Sequence, residues 1–499
     1  MADKFFLHYR NPDLHRMPEK LIFEMSRPCR RAVPMPALDV PQKNLSDIIP
    51  SRHLRRQPAR LPEVGELETI RHFVRVSTMN HHIDKGFYPL GSCTMKYNPL
   101  VNETIARLEG FANAHPLQPE ETQQGALHLM HELSRMLCEI VGMEAATLQP
   151  AAGAQGELTG LMMIRAYHES KGNPRKYVLI PDSAHGTNPA SVVIAGYETV
   201  QIPSNAEGRV DKAVLKEKLN DEVAALMITN PNTLGLFETE ILEISRLVHE
   251  AGAFMYMDGA NLNALLGLVR PGDLGFDLMH INLHKTFSTP HGGGGPGSGP
   301  VAVGSRLVEY LPVPRVVKKG EKYILDDDYP KSVGKVHSFL GNFGMMVRAC
   351  AYILMHGDRG LKRISENAII NANYLLSRLA PHFRLPYPGP AMHEFVLSGE
   401  KLRSHGLRTT DLAKRLLDYG VHAPTIYFPL IVREAIMIEP TETESRETLE
   451  AFADAMIQVL KEAMETPELV KNAPHTTPVG RLDEAKAVKE LNINYFSIN

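Results

Sequence analysis

The chain has 499 residues, of which 43% are hydrophobic and 22% charged, a composition typical of a soluble globular protein. It carries 54 basic and 57 acidic residues, so its net charge is close to zero. This balance argues against nucleic acid or an anionic membrane as the main partner, because both bind strongly basic surfaces.

Cysteine spacing and apolar segments both favour a protein that stays in the cytoplasm. The four cysteines are scattered and form no C-x-x-C pair, so neither a zinc site nor a disulfide framework is indicated. The N-terminal segment MADKFFLHYRNPDLHR lacks the apolar core of a secretion signal. Since no uncharged run of about 18 residues is present, a membrane span is not expected.

The first 75 residues predict no core of their own. They are rich in Pro, Arg and His and show little hydrophobic periodicity, which indicates an extended arm over residues 1–75 that packs on the body or on a partner. We interpret its two basic runs, RPCRR and SRHLRRQPAR, as solvated parts of this arm in preference to a docking patch.

Beyond residue 140, short apolar runs recur and alternate with helical patterns. One helical pattern, TEILEISRLVHEAG, places four apolar residues on one face: Ile241, Ile244, Leu247 and Val248. Continuous apolar strands between helices predict an α/β fold with a mostly parallel sheet covered on both faces. The runs interpreted as strands are YVLIP (177–181), SVVIA (191–195), AALMIT (224–229), AFMYMD (253–258), LMHINL (278–283) and PVAVG (300–304).

The C-terminal third predicts a second, smaller domain. From about residue 345 the pattern becomes helical, and a mixed region with the strand-like stretches HEFVLS and AIMIEP follows. This succession is typical of an α+β domain. The predicted organisation is an arm (1–75), a large α/β domain (76–340), a small α+β C-terminal domain (341–470) and a C-terminal tail (471–499).

The most informative stretch is INLHKTFSTPHGGGGPGSGP (281–300), in which His284 and Lys285 follow an apolar strand and precede a glycine-rich loop. The lysine has three possible interpretations: phosphate binding, covalent chemistry at the amine, or solvation beside a flexible linker. A nucleotide-binding Walker loop places its lysine after the glycines and at the start of a helix, and here the order is reversed. A dinucleotide fingerprint fails as well, because these glycines lead into a strand.

A lysine amine that condenses with an aldehyde cofactor such as pyridoxal phosphate needs three helpers, and the sequence offers each of them. Asp258 closes a predicted strand and supplies a carboxylate for the pyridine nitrogen. Residues 153–156 in QPAAGAQGELTGL open a predicted helix, where backbone N–H groups bind phosphate. His185 in PDSAHGTNPAS follows another strand and supplies a flat group to cover the ring.

Each helper also has an ordinary interpretation, respectively a turn aspartate, a plain helix start and a surface histidine. Their order along the chain, ending in Lys285, favours covalent chemistry. Lys96 in PLGSCTMKYN is the competing amine, but no strand precedes it and no carboxylate lies at a matched spacing. Cys93 in the same stretch is interpreted as a buried small residue, not a redox thiol. We expect this stretch to line the mouth of the site.

The motifs together resemble the pyridoxal-phosphate-containing decarboxylating glycine dehydrogenases, the P-proteins of the glycine cleavage system. The resemblance extends from about residue 45 to residue 480. It is carried by the stretches FYPLGSCTMKYNP, QPAAGAQGE, DSAHGTNPAS, TNPNTLGLFE, DGANLNA, NLHKTFSTPHGGGGPGSGP, HEFVLS and YGVHAPTIYFP.

This resemblance implies an aspartate-aminotransferase-type (fold type I) large domain and pyridoxal 5'-phosphate bound covalently to Lys285. It implies three catalytic residues: Lys285, His185 and Asp258. The cofactor-binding residues that it implies are Gly153, Ala154, Gln155, His185, Thr187, Asp258, Ala260, His284 and Lys285. No metal is expected.

The implied activity is decarboxylation of glycine, with release of CO2 and transfer of the aminomethyl group to the lipoyl arm of the H-protein. Some relatives are split into two subunits, and a chain of this length resembles the lysine-bearing one. The implied partners are therefore glycine dehydrogenase subunit 1, in a heterotetramer with two copies of each, and the lipoylated H-protein. We expect the isolated chain to be incomplete as an enzyme.

Two other functions remain alternatives. One is another lysine-dependent decarboxylase or lyase of the same fold, and the other is a non-catalytic scaffold subunit, against which the presence of Lys285 and Asp258 argues. A tight arginine clamp on the glycine carboxylate would stabilise the group that leaves, so Arg433 is predicted not to be one. Family stretches also contain His393, His422 and Thr425, whose roles the sequence does not give.

Overall fold

The fold is given by a computed structural model that describes residues 19–290, 292, 295 and 297–498. The start of the predicted arm (1–18) lies outside the described residues, as do four positions of the glycine-rich loop (291, 293, 294 and 296) and residue 499.

The N-terminal part of the described chain is largely exposed and contains helices α1 (Leu45–Ile48) and α2 (Glu66–Met79). Helix α2 runs through the predicted end of the arm, so this part is helical and not extended. Leu67, Ile70 and Val74 share one exposed face of α2. Their i, i+3, i+7 spacing is the signal in the sequence that indicates a helix here.

A seven-stranded sheet forms the centre of the large domain. Its strands are β1 (Ala145–Thr147), β2 (Tyr177–Pro181), β3 (Glu198–Ile202), β4 (Val223–Thr229), β5 (Phe254–Gly259), β6 (Leu278–Ile281) and β7 (Val301–Val303). Their order across the sheet is β1-β7-β6-β5-β4-β2-β3. Strand β7 is antiparallel to both of its neighbours and the other pairs are parallel, so the predicted mostly parallel α/β fold is confirmed.

Helices cover both faces of this sheet, as its apolar strands require. The helices of this part of the chain are α3 (Leu100–Ala106), α4 (Glu109–Ala112), α5 (Gln124–Val141), α6 (Gly153–Ser170), α7 (Thr187–Ile194), α8 (Lys212–Lys218), α9 (Ile241–Glu250) and α10 (Leu283–Thr286). Of these, α3 and α4 do not pack on the sheet. On one face, Leu137 of α5 and Val248 of α9 pack in a core with Met255 of β5. On the other face, Leu161 of α6 packs in a core with Tyr256 of β5.

The apolar run SVVIA (191–195) was wrongly interpreted as a strand, because its first four residues lie in helix α7. Val192 is buried, whereas Val193 and Ile194 are exposed. An apolar run this short has no periodicity that separates a strand from a helix. Pro189 lies in the first turn of α7, where a helix tolerates proline.

The remaining elements form a hairpin and a smaller α+β unit. The hairpin joins β8 (Arg315–Lys319) and β9 (Lys322–Asp326). The smaller unit has a sheet of order β10-β12-β11, formed by β10 (Phe395–Ser398), β11 (Thr425–Ile426) and β12 (Ala435–Ile438). Its helices are α11 (Phe343–Leu379), α12 (Thr409–Asp418), α13 (Arg446–Glu465) and α14 (Pro467–Lys471), followed by α15 (Glu484–Lys489) and α16 (Tyr495–Ile498). The domain boundaries given above stay predictions.

Helix α11 is a core helix. The segment Ser338–Leu379 that contains it is long and apolar enough to cross a membrane by length and composition alone. However, Met346 and Ala349 are buried in the core of the large domain, and Leu375 is buried in that of the smaller unit. The helical backbone is also interrupted at Gly357, which has φ 59° and ψ −172°. Helix α11 therefore links the two cores.

The close approach of α6 to the sheet depends on a glycine. A Cβ atom at Gly160 would overlap with the ring of Tyr256, which is fully buried. This contact lets the helix lie close over β5, so that its N-terminus reaches the same edge of the sheet as the ends of β5 and β6.

We expect Gly160→Ala to destabilise the protein by about 1–3 kcal/mol, because the added methyl group overpacks the core beside Tyr256. The matched control is Gly125→Ala in α5, where a Cβ atom meets nothing within 4 Å. That change should be neutral, or stabilising by up to about 1 kcal/mol. Urea unfolding followed by circular dichroism measures both, and equal effects of the two substitutions would contradict the packing described.

Candidate active site

Asp258 and His280 form a buried ion pair at the carboxyl ends of strands β5 and β6. The parallel register places Asp258 beside His280 on one side and beside Thr229 of β4 on the other. His280 Nε2 lies 3.1 Å from Asp258 Oδ1, and the two side chains are 1% and 3% exposed. In open α/β sheets, ligands bind in the crevice outside this edge.

Further hydrogen bonds fix the Asp258 carboxylate. The backbone N–H of Ala260 donates to Oδ1 at 2.9 Å, the Asn188 amide donates to Oδ2 at 3.2 Å, and the Thr229 hydroxyl donates to Oδ2 at 3.3 Å. Burial raises the pKa of Asp258, but the charge and hydrogen bond of His280, together with the Ala260 N–H, outweigh burial and hold this pKa below its ordinary value. Asp258 is therefore an anion at neutral pH.

His280 is the cationic partner in this pair. Burial lowers the pKa of His280, but the charges of Asp258 and Glu157 raise it by more than burial lowers it. The pKa of His280 is therefore above its ordinary value. The Tyr256 hydroxyl lies 3.4 Å from His280 Nδ1. Glu157 is itself fixed, since it accepts a hydrogen bond from the Thr187 hydroxyl at 2.8 Å. The Asp258 carboxylate therefore belongs to a buried polar network.

The N-terminus of α6 has the features of the predicted phosphate cup. The helix begins at Gly153, and no side chain caps it. The backbone N–H groups of Gly153, Ala154 and Gln155 therefore have no partner within the helix. Gly156 differs from the expectation, because its N–H donates to the carbonyl oxygen of Ala152 at 2.9 Å. The cup thus offers three N–H groups and not four.

His185 lies at the rim of the same crevice and is an exposed residue whose ring is partly covered. Its Nδ1 atom lies 2.9 Å from Thr187 Oγ1, which connects it to the network around Glu157. The ring also meets Phe428 edge-on, with 5.6 Å between centroids. Desolvation by the walls of the crevice lowers the pKa of His185, and the charge of Asp258 partly opposes this. The ring is therefore neutral at neutral pH.

Lys285 lies in the short helix α10, which directly follows β6. Its Nζ atom donates to the carbonyl oxygen of Ser92 at 2.6 Å. The charge of Lys285 contributes to lowering the pKa values of Asp258 and of His185. His284 points away from this amine, since its Nδ1 atom accepts from the backbone N–H of Ser298 at 3.4 Å.

Lys96 does not have the environment of a reactive amine. It is 3% exposed and ion-paired with Glu442, at 2.7 Å from Nζ to Oε1. The same Nζ atom donates to Asn263 Oδ1 and to the carbonyl oxygen of Thr286, both at 2.8 Å. Thr286 lies next to Lys285 in α10. Lys96 therefore holds α10 in place and does not compete with Lys285 as the reactive amine.

The segment that carries Ser92 is held by residues whose roles the sequence did not give. The ring of His422 stacks on Tyr88, with 4.1 Å between centroids. The Thr425 hydroxyl donates to the carbonyl oxygen of Gly91 at 2.9 Å. Both residues lie in the C-terminal unit, so that unit fixes the acceptor for Lys285.

Two other residues from the sequence analysis lie away from the chemistry or differ from the expectation. Arg433 has a side chain that is 72% exposed and pairs with Glu400 at 3.3 Å, so it is a surface residue. Cys93 is half-buried, not buried, and desolvation raises the pKa of its thiol. It is therefore a poor thiolate.

The described residues fit pyridoxal phosphate. A buried carboxylate that stays ionised suits a pyridine nitrogen that must keep its proton. An uncapped helix N-terminus suits the phosphate group. Lys285 provides an amine just beyond the carboxyl end of β6.

Comparison with known proteins assigns a family to the chain. Residues 40–322 match the model of the glycine cleavage system P-protein, and residues 364–476 match that of the glycine dehydrogenase C-terminal domain. The chain belongs to the glycine cleavage system P-protein family. It is 61% identical to a probable glycine dehydrogenase (decarboxylating) subunit 2 of Chloroherpeton thalassium, over 96% of this chain and 98% of that one. A protein of the same name from Caldanaerobacter subterraneus is 59% identical over 95% of this chain and 98% of that one.

Solved structures agree with the fold. A glycine decarboxylase (P-protein) in inhibitor-bound form has a TM-score of 0.72 at 22% identity and covers 83% of this chain and 94% of that one. A cysteine desulfurase of Thermococcus onnurineus has a TM-score of 0.58 at 15% identity, over 76% of this chain and 95% of that one. The predicted fold class, family and glycine dehydrogenase (decarboxylating) enzyme class are confirmed, and the family and fold support pyridoxal phosphate as the cofactor.

His280 is a site residue that the sequence pattern does not single out. A histidine inside an apolar strand is more often a core residue than a functional one, and nothing local distinguishes it. The signal in the sequence is the position of His280, two residues after the start of β6. Because β6 runs parallel to β5, this position is in register with Asp258.

We expect Asp258→Asn to convert His280 from imidazolium to neutral imidazole at pH 7, because burial then lowers the histidine pKa without an adjacent anion to oppose it. Nitrogen-15 chemical shifts of histidine-labelled protein measure the change, and His280→Gln assigns the signal. His168 is the control, since burial is the largest of the effects that lower its pKa to about 4 and it should stay neutral in both proteins. A neutral His280 in the wild type would contradict the ion pair.

Proposed function

We propose that this chain decarboxylates glycine with pyridoxal phosphate bound covalently to Lys285, and that it transfers the aminomethyl group to the lipoyl arm of the H-protein. The observation that carries this proposal is the convergence at one sheet edge of the Lys285 amine, the Asp258–His280 pair and the uncapped start of α6. The family assignment supports it independently.

Each group has a defined task in this proposal. Lys285 holds the cofactor, and the N–H groups of Gly153, Ala154 and Gln155 bind its phosphate. Asp258 keeps the ring nitrogen protonated, and His280 keeps Asp258 charged. When bound, the cofactor supplies an electron sink for the bond that breaks at Cα of glycine.

The remaining named residues shape the pocket around the ring. His185 would cover one face of the cofactor ring, and Thr187 orients the imidazole through the contact of 2.9 Å between Nδ1 and Oγ1. Ala260 contributes the backbone N–H that holds Asp258, and His284 anchors the glycine-rich loop at Ser298.

The carboxylate of glycine is released and not retained in this reaction. Among the described residues that hydrogen-bond or ion-pair with Asp258, His280 or Lys285, none is an arginine. A site without a strong cationic clamp does not stabilise the ground-state carboxylate, so less binding energy opposes the loss of CO2. This supports decarboxylation over chemistry that keeps the carboxylate.

The proposed assembly is a heterotetramer with two copies of glycine dehydrogenase subunit 1. Relatives of the same length are named subunit 2, which implies such a partner. The described arm exposes apolar residues that a partner would cover: Val33, Leu38, Ile70, Phe73 and Val74. The H-protein is the proposed second partner, and a cytoplasmic location stays a prediction.

We expect Lys285→Ala to abolish both the covalent attachment of pyridoxal phosphate and glycine decarboxylation, because the attachment would need this amine. Borohydride reduction followed by peptide mass mapping locates the attachment, and release of labelled CO2 measures activity. Assays contain subunit 1 and lipoylated H-protein, since the chain alone should turn over poorly.

The matched control is Lys319→Ala, which removes an exposed lysine from β8 and should leave both readouts unchanged. Cofactor found on Lys96, or activity retained without Lys285, would refute the assignment. Free methylamine produced without any lipoyl acceptor would identify a simple decarboxylase instead.

A further inference from the structure

Three ionisable side chains are completely buried next to Lys285 and have no part in the site described above. His393 and Glu394 directly precede β10, and Glu439 directly follows β12. All three are 0% exposed. One nitrogen or oxygen atom from each lies within 4.8 Å of the others.

The two glutamates hold the segment that contains Ser92. Glu394 Oε2 accepts from the backbone N–H of Ser92 at 2.8 Å, and Glu439 Oε2 accepts from the backbone N–H of Thr94 at 3.0 Å. Ser92 and Thr94 have φ values of 64° and 44°, a region that costs side-chain-bearing residues about 1–3 kcal/mol each. The Ser92 carbonyl oxygen accepts from Lys285. The carboxyl groups therefore keep a strained loop against the amine.

The cluster also has unused hydrogen-bonding capacity. Both ring nitrogens of His393 and the Oε1 atom of Glu439 are buried, and within the described part of the chain they have no hydrogen-bond partner. His393 Nε2 lies 3.9 Å from Oε1 of Glu394 and 3.9 Å from Oε1 of Glu439. Tethering the loop uses only one oxygen of Glu439, so it does not account for these atoms.

We propose that Glu394 and Glu439 form a carboxyl pair that holds one proton, and that this pair exchanges protons with the nitrogen of Lys285 and with the nitrogen of the incoming glycine. This inference rests on the proposed function and adds two residues to it. In the step, an N–H bond breaks and an O–H bond forms on a carboxylate, while the electron pair stays on nitrogen, so no oxidant or reductant is needed. The reverse transfer restores the pair.

The proposed reaction requires such an acceptor. Glycine enters with an ammonium group, and its nitrogen becomes a nucleophile only after losing a proton. Burial and the charge of Glu439 raise the pKa of Glu394 well above its ordinary value, and burial raises that of Glu439 to about 7. One of two adjacent buried carboxyls therefore carries a proton while the other accepts one.

The charged and titratable groups that act on the pair are Lys285, Lys96, Glu442, His393 and Cys93. Lys96 and Glu442 neutralise each other in their ion pair. Burial lowers the pKa of His393 to about 3, so it is neutral, and burial raises that of Cys93, so it is a thiol. Of these groups, Lys285 is therefore the one whose charge acts on the carboxyl pair, and this charge changes during the proposed reaction.

The test is infrared spectroscopy of the protein without cofactor, in which protonated carboxyl groups give a separate C=O band. Glu439→Gln assigns the Glu439 band by its loss and keeps an acceptor for Thr94. The band should be present at pH 6 and vanish with a midpoint near pH 7. In Lys285→Met the midpoint should rise by about one pH unit, because the lysine charge favours the ionised carboxyl.

Glu444 is the matched control, since burial alone raises its pKa to about 7. Its band, assigned with Glu444→Gln, should titrate at the same pH with and without Lys285. A Glu439 band that is absent at pH 6, or one that does not shift in Lys285→Met, would overturn the proposal.

Activity of the complete assembly gives the second readout. Glu439→Gln should retain the cofactor on Lys285 but lose glycine decarboxylation by about 10²-fold, whereas Glu444→Gln should not. Unchanged activity in Glu439→Gln and in Glu394→Gln, the variant to use if the first does not fold, would also overturn the proposal. Failure of the proposed function gives a different result from failure of this inference. If the proposed function is wrong, wild-type protein carries no cofactor at Lys285, but the midpoint of the Glu439 band still shifts in Lys285→Met.

Discussion

The charge on Asp258 is the constraint on which the site depends. A carboxylate that is almost completely buried stays ionised only if neighbouring groups replace water. His280 supplies a cation at 3.1 Å, and Ala260 supplies a backbone N–H. The sheet makes this arrangement possible, because the register of β5 and β6 sets the two side chains beside each other.

The site is assembled from three distant parts of the chain. Strand ends and the start of α6 supply the groups proposed to bind the cofactor, while the segment around Ser92 comes from before the sheet. The C-terminal unit holds that segment through Thr425, Glu394 and Glu439. A change in the contact between the C-terminal unit and the sheet would therefore alter the environment of Lys285 directly.

Lys96 shows how a second lysine is kept out of this chemistry. Its ammonium group is fully used by Glu442, Asn263 and the carbonyl oxygen of Thr286. Lys285, by contrast, has a backbone carbonyl as its partner and lies beside the crevice. The two lysines thus differ in environment, because Lys96 is paired with a buried carboxylate and Lys285 donates to a backbone carbonyl oxygen.

Much of the candidate site could be predicted from the sequence, because its residues follow strands that have continuous apolar patterns. Asp258 and Lys285 close or follow such strands, and the cup that was predicted at residues 153–156 lies at the start of α6. The run at residues 191–195 was misread because a short apolar stretch fits both a strand and a helix.

The sequence could not reveal groups that only tertiary contacts bring together. The position of His280 beside Asp258 depends on strand register. Glu394 lies 302 residues from Ser92 along the chain, and Glu439 lies 345 residues from Thr94. The partner of Gly156 depends on where α6 begins, and helix boundaries are the part of a sequence-based prediction with the least local signal.

The most direct measurement is a crystal structure of this chain, with its partner subunit, grown with pyridoxal phosphate. The account predicts continuous density from Lys285 Nζ to the cofactor, with the ring nitrogen about 2.7–3.0 Å from the Asp258 carboxylate. Density that joins the cofactor to another amine, or a ring nitrogen that faces no carboxylate, would contradict it.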